Sequence, residues 1–304
     1  MPDISVITCT HNPRSEFLEA TVRGLANQSL PAAQWEYVLI DNASSQERLP
    51  KASLSWHPDA RTFREAKLGL TPARLRGIHE AKGELLVFVD DDNVLDPDFL
   101  DQALRVAKER PYLGSWSGQI RPEFAVPPPE WTRRYWGNLA IREFEQDLWS
   151  NQPRLPDTMP CGAGLCVRRE VAAHYVRLHE IGQRSFQFDR TGDSLVSGGD
   201  NDLAACACDI GLGVGLIAAL KLTHLMPPER LTCDYLARLA EGIAFSSVLL
   251  DAARNQPVVR RGFLRTGADR IRAWALPAPH RRIAYAAMQG RRRALQVLSQ
   301  VSKP

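Results

Sequence analysis

The sequence predicts an α/β protein built on a mostly parallel, doubly wound sheet. Three observations carry that expectation. Short apolar runs of strand length alternate with segments of helical periodicity. The run Leu85, Leu86, Val87, Phe88, Val89 is unbroken, as in a strand covered on both faces. Acidic residues fall just past the ends of such runs, where open α/β sheets place their ligand crevices.

In chain order, residues 4–8 (Ile-Ser-Val-Ile-Thr) read as the first buried strand. Asn12-Pro13 then gives a helix cap followed by a favoured first helical residue, and Phe17, Leu18, Val22 and Leu25 continue at helical spacing to about Asn27. Trp35 to Ile40 is a second strand, ending at Asp41-Asn42. After a looser stretch, a helix over 73–81 is closed by Gly83. The third strand, 85–89, runs directly into Asp90-Asp91-Asp92. Asp96-Pro97 repeats the cap-and-proline signal, with Phe99, Leu100, Ala103, Leu104 and Ala107 on one helical face.

The second half is less regular. Residues 122–131 are proline-rich, and 130–149 are rich in aromatic and basic residues at helical spacing. Cys161-Gly162-Ala163-Gly164 forms a glycine-rich turn before a strand and a helix. Asp200 and Asp202 open a short helix, and Thr232 caps a long one to about Ala253. The expected organisation is a first half over 1–121, a second half over 122–253 and C-terminal helices over 254–304.

Composition narrows the class. The chain has 304 residues, 44% apolar and 24% charged, which is globular and excludes a disordered or fibrous protein. No apolar run approaches the roughly 20 residues of a membrane span. Residues 210–220 come nearest and carry three glycines. The N-terminus lacks a basic patch followed by an apolar stretch, so the expected location is the cytoplasm. Six cysteines form no C-x-x-C pair, and Cys206 and Cys208 point to nearly opposite sides of a helix, which argues against a thiolate metal site.

Charge is unevenly spread. The net charge is +3, yet residues 254–304 hold twelve Lys/Arg against one acid, Asp269, leaving 26 basic and 34 acidic residues in the body. Ile271, Trp274, Ile283 and Tyr285 are interleaved with those arginines. Such helices either lie on an anionic membrane surface, at the inner face of the plasma membrane, or present a solvated face while packing on the body. No nucleic-acid partner is expected, because the arginines form no reading motif and the acidic body opposes a polyanion.

The acids carry the chemistry. Three successive carboxylates repel one another unless a hard divalent cation or a hydrogen-bonded sugar holds them; the alternative is an exposed turn before the next helix. No G-x-G-x-x-G follows the first strand and no G-x-x-x-x-G-K-[ST] occurs, which speaks against dinucleotide and P-loop enzymes. Without a phosphate-cradling loop, such a cluster would bind a nucleotide diphosphate through a bridging metal.

Six segments in fixed order then resemble one family. "SVITCTHN", "YVLIDNASS", "LGLTPARLRGI", "LLVFVDDDNVLDPDFL", "CGAGLCVRRE" and "GGDNDL" are similar to the motifs of glycosyltransferase family 2, inverting enzymes of the GT-A fold. The resemblance spans about residues 4–250. It implies a nucleotide diphosphate sugar donor, a sugar or lipid-linked acceptor and bound Mn²⁺ or Mg²⁺, in cell-surface polysaccharide or glycolipid synthesis. It also implies roles. Cys9, Thr10, His11 and Asn12 line the nucleobase pocket, and Asp41 accepts from a base N–H. Arg74 lies by the base or diphosphate, and Asp90 and Asp91 contact ribose. Asp92 ligates the metal with His224 beside it, and Asp200 is the general base.

Several positions depart from the family pattern: Cys9 stands for its proline, His11 for its tyrosine, Leu75 for its asparagine and Gly199 for the glutamate before the base. Asp202 competes as base, although two residues apart on a helix the pair cannot share a face. Gly162 and Gly164 would let backbone approach a diphosphate or acceptor, or simply form a tight turn. Trp131, Trp136 and Trp149 would offer faces to an acceptor or pack as core. Two other functions fit less of the pattern: a sugar-nucleotide-binding scaffold without turnover, which has no need of a base, and a metal-dependent nucleotidyl- or phosphotransferase.

Overall fold

The computed structural model describes residues 1–46, 54–153, 157–184, 195–259 and 262–301. Arg260, Arg261 and Lys303 of the basic tail lie outside the described residues. The strands are β1 (Ile4–Thr10), β2 (Trp35–Asn42), β3 (Ala60–Glu65), β4 (Leu85–Phe88), β5 (Asn93–Leu95), β6 (Leu113–Phe124), β7 (Leu148–Ser150), β8 (Leu165–Arg168) and β9 (Gly213–Met226). The helices are α1 (Ser15–Ala26), α2 (Leu70–Glu80), α3 (Phe99–Glu109), α4 (Arg169–Glu180), α5 (Gly199–Asp209), α6 (Cys233–Ala253), α7 (Phe263–Trp274) and α8 (Ala278–Val301).

The strands form one sheet in the order β3-β2-β1-β4-β8-β6-β9-β5, with β7 pairing β9. Side chains alternate across it, as a period of two requires. Ile4, Val6, Tyr37, Leu39, Leu85 and Val87 join the core that includes Leu18 and Leu25 of α1 and Phe99 and Ala103 of α3. Ile7, Val38, Ile40, Leu86 and Phe88 join the opposite core, with Ala73 of α2, Val171 of α4 and Leu203 of α5. Burial on both faces explains the unbroken apolar run in β4.

The sheet is mixed, with its long ladders parallel. β3, β2, β1 and β4 run parallel, as do β6 and β9. β8 is antiparallel to β4 and β6, and β5 and β7 are antiparallel to β9. Because Leu165 pairs with Phe88, the glycine-rich turn before β8 arrives beside the carboxylates that follow β4.

Two expected caps are not caps. Asn12 sits at φ 50°, and α1 begins three residues later without a side-chain cap. Its Oδ1 instead accepts the Ser45 N–H at 2.9 Å, tying two loops together. Asp96 pairs with Arg121, and α3 starts at Phe99. Residues 130–149 are not one helix either. A 3-10 segment, Glu130–Leu139, ends at Ala140 in the left-handed region, where Ile120 bridges Arg142 and pulls the chain onto the sheet.

Thr232 does cap α6, its Oγ1 accepting the Tyr235 N–H at 3.2 Å. α8 runs beside α6 in the same direction, burying Ile283 near Leu236 and Leu239, and Ala294 near Val248 and Leu249. Arg282 pairs with Asp234 and Arg293 with Glu241, so part of the tail's charge is spent on α6. Among the described residues no helix is long and apolar enough to cross a membrane.

Candidate active site

A cleft of about 380 Å³ opens at the carboxyl ends of β1 and β4. Cys9, Thr10 and His11 enter it from the end of β1, and Arg74 from α2. Asp90, Asp91 and Asp92 follow β4, Gly162 comes from the turn before β8, Asp200 from the first turn of α5 and His224 from β9. These residues are scattered over more than two hundred positions. The parallel order of β1 and β4 and the reversed β8 bring them to one end of the sheet.

Four expected site residues are absent from the cleft wall. Asp41 is 3% exposed, and its Oδ2 accepts from Arg64 Nη1 at 2.6 Å. The two are register partners across β2 and β3, so the carboxylate is turned along the sheet towards Arg64. Asn12 braces the neighbouring loop, its N–H donating to Ser44 Oγ at 2.8 Å. Gly164, at φ +65°, makes the tight turn: a Cβ there would meet Leu222 and Phe99 below 3.0 Å. Asp202 is fully buried between Arg184, at 2.7 Å, and Arg254, at 2.6 Å. None of Trp131, Trp136 and Trp149 lines the cleft. Trp136 packs on Phe124, Trp131 on Tyr135 and His280, and Trp149 on Tyr112.

His11 is oriented on both sides. Its Nδ1 donates to the Asn42 carbonyl at 2.7 Å, which leaves Nε2 to accept from Asn12 Nδ2 at 2.9 Å. The ring is held in one plane at the cleft edge.

Asp91 and Asp92 are pushed in opposite directions. Burial, with Asp92 beside it, pushes the Asp91 carboxyl up to about 7, and Thr10 Oγ1 donates to it. Burial also opposes ionisation of Asp92, but the Arg230 guanidinium and His224 hold its carboxyl well below the usual range. Asp92 Oδ2 accepts from Arg230 Nη2 at 2.6 Å and lies 3.4 Å from His224 Nε2. The antiparallel pairing of β5 with β9 makes this meeting, setting Asn93 opposite His224, with the Leu225 N–H bonded to the Asp92 carbonyl at 2.8 Å.

A carboxylate oxygen and an imidazole nitrogen 3.4 Å apart could together hold a divalent cation. The unpartnered, buried Nδ1 of His224 leaves Nε2 as the nitrogen facing the site. The pair is a partial set: among the described residues no cluster of three His, Cys, Asp or Glu side chains could hold a metal by itself.

Across the cleft, Asp200 Oδ2 accepts the Gly162 N–H at 2.7 Å and Oδ1 accepts the Asn201 N–H at 2.9 Å. Asn201 is anchored in turn, Nδ2 to the Pro160 carbonyl at 3.2 Å. A Cβ on Gly162 would stand 3.1 Å from Arg74 Nη2 and 3.3 Å from Asp200 Oδ2, so any larger residue there would press on both side chains.

Arg230, Tyr235, Asn138, Asn42 and Ser197 also line the cleft and were not anticipated from the sequence. Arg230 had one visible signal, a basic residue six positions after His224 on the same segment.

Comparison with known proteins follows this geometry. The profile of glycosyl transferase family 2 matches residues 5–175. Polypeptide N-acetylgalactosaminyltransferase 3 of Drosophila melanogaster is 32% identical over 114 residues, covering 36% of this chain and 17% of that protein. The chain spans less than a third of the length of the first curated relatives it matches, at 30%, 17% and 19%. Among solved structures, the mannosyltransferase PcManGT from Pyrobaculum calidifontis, in complex with GDP-Man and Mn²⁺, superposes with a TM-score of 0.57 at 19% identity, over 100% of this chain and 76% of that one. Residues 1–349 of TarS from S. aureus give 0.51 at 14% identity, over 99% and 92%. At such identities the likeness is one of fold, and that fold is GT-A.

Proposed function

The chain belongs to glycosyl transferase family 2, and on that premise we propose that it transfers a sugar from a nucleotide diphosphate sugar to an acceptor hydroxyl, with inversion at the anomeric carbon. One observation carries the reading: a carboxylate fixed by the Gly162 N–H, Asp200, shares a single cleft with the Asp90–Asp92 run. That is the division of labour a single displacement needs.

His11, Cys9 and Thr10 offer the wall for the nucleobase. Asp90 and Asp91 face the ribose, and Asp91, raised to about 7, can donate as well as accept there near neutral pH. Asp41, paired with Arg64, supports the strand end rather than reading the base. Asp92 and His224 would hold Mn²⁺ or Mg²⁺, which supplies Lewis-acid stabilisation of the leaving diphosphate. PcManGT, a fold neighbour, is in complex with GDP-Man and Mn²⁺, which supports a divalent metal in this reading. Arg74, buried in the cleft wall, adds positive charge where the diphosphate leaves. Asp200 takes the proton of the acceptor hydroxyl as its oxygen attacks from the face opposite the leaving group. The N–H groups of Gly162 and Asn201 hold its two oxygens in place at the cleft.

Ile271 and Trp274 of α7 are 71% and 68% exposed among the tail's arginines. This supports contact of residues 254–304 with an anionic membrane face and an acceptor carried on lipid.

Calorimetric titration with UDP, GDP, dTDP and CDP, with and without Mn²⁺, tests the reading. Metal-dependent binding of one nucleotide, lost in Asp92→Ala, together with release of a nucleoside diphosphate from a donor sugar, is the expected result. Binding without turnover across donors and acceptors would favour a scaffold. Pyrophosphate release from a nucleoside triphosphate would favour a nucleotidyltransferase.

A further inference from the structure

Arg230 lies on the 3-10 turn Pro228–Leu231, one residue beyond the end of β9. Its guanidinium reaches back into the cleft. Nη1 donates to His224 Nε2 at 2.8 Å and Nη2 donates to Asp92 Oδ2 at 2.6 Å. These are the two atoms that stand 3.4 Å apart as the candidate cation pair.

The chemistry of the donors makes the two uses exclusive. Arginine can only donate, so His224 must turn the lone pair of Nε2 to it and keep its proton on Nδ1. An imidazole nitrogen has a single lone pair, which accepts an N–H or binds a metal but not both. Asp92 Oδ2 has further lone pairs, yet a guanidinium 2.6 Å away sets positive charge where a divalent ion would approach. The tautomer that suits Arg230 is also the one that would ligate a metal through Nε2, so no proton has to move for the exchange.

We propose that Arg230 and a divalent cation compete for Asp92 and His224, so that metal enters only as the guanidinium leaves them. The inference rests on the reading of Asp92 and His224 as the metal pair. The adjacent Glu229 pairs with Arg14 of the loop after β1, which links the turn to that loop while the Arg230 side chain exchanges. Released, the guanidinium remains on the cleft wall, and its two-pronged geometry suits diphosphate oxygens. Arg230 therefore sets the threshold for metal loading.

The test is a Mn²⁺ titration of the full chain without nucleotide, by calorimetry and by loss of the free-Mn²⁺ EPR signal. Wild type is compared with Arg230→Ala and Arg230→Gln, the second keeping bulk without charge. Both variants should bind Mn²⁺ more tightly, on the order of tenfold to a hundredfold, the worth of a charge-assisted hydrogen bond. The gain should vanish when Asp92→Asn is added to Arg230→Gln. Mn²⁺ should also raise the Tm of Arg230→Gln more than that of wild type, a readout that tolerates a less stable variant. Unchanged or weaker affinity in both variants, a gain that survives Asp92→Asn, or no Mn²⁺ binding by any form would each overturn the proposal. Parallel nucleotide titrations separate it from the transferase reading. Nucleotide binding with no Arg230 effect removes the competition alone, and an Arg230 effect with no nucleotide binding removes the transferase reading alone.

Discussion

The carboxylate of Asp200 accepts the backbone N–H of Gly162 at 2.7 Å, joining the first turn of α5 to the turn before β8. The two are 38 positions apart in sequence, and the other oxygen is held from within α5 by the Asn201 N–H. Asp200→Asn should lower kcat by about 10²- to 10⁴-fold, the usual worth of a general base, with nucleotide affinity unchanged. Steady-state rates beside calorimetric nucleotide binding check this. Equal loss of both would make Asp200 a binding residue instead.

Asp202 sits two positions further on, fully buried between Arg184 and Arg254. Arg254 also reaches Asp209 at 2.5 Å and the Ala205 carbonyl at 2.9 Å, pinning α5 to the end of α6. Asp202→Asn should destabilise the protein by about 3–5 kcal/mol, because Arg184 and Arg254 lose the buried carboxylate they share, although Arg254 keeps Asp209. Urea unfolding measures it; a change within experimental error would deny the network any structural role.

Asp91 gives a pH signature. Its carboxyl lies near 7 in the fold against 3.8 as an ordinary value, so between those pH values the native state holds a proton that the unfolded chain has lost. Its contribution to stability is full below about 4 and fades as pH rises through 7. Asp91→Asn removes the penalty of burying the charge while keeping an acceptor for Thr10. The variant should match wild type at pH 4 and exceed it by about 1–3 kcal/mol at pH 8, the full shift being reduced by water in the cleft. Denaturant unfolding at the two pH values decides. A constant difference would contradict the assignment.

The membrane reading makes a surface prediction. Ile271→Glu with Trp274→Glu removes two exposed apolar side chains of α7 and should weaken sedimentation with phosphatidylglycerol vesicles by at least about tenfold. Wild-type binding should also fall as salt rises, since arginines supply the attraction. Equal binding by the variant would leave the apolar residues without that part.

Much of this was legible along the chain. Alternation of Ile4, Val6 and Ile7, or of Tyr37, Val38 and Leu39, assigns residues to two faces by local geometry alone, and the structure has those faces in two cores. The turn of a helix separates Asp200 from Asp202 wherever the helix sits. The glycine before Asp200, the run of aspartates and the order of six motifs are likewise properties of the string.

What the string does not contain is pairing across long distance. Asp41 is register partner to Arg64 because β3 aligns with β2 one way and not another. Asp92, His224 and Arg230 meet because β5 runs antiparallel to β9, a register that sets Asn93 opposite His224. Two acids open α5, and burial against Arg184 and Arg254 takes one out of reach of solvent while Gly162 holds the other at the cleft. Periodicity and propensity act over a few residues, so they fix elements and faces. Which charge finds which partner is settled by the packing of whole strands and helices, where a buried carboxylate must have a counter-charge or a hydrogen-bond donor.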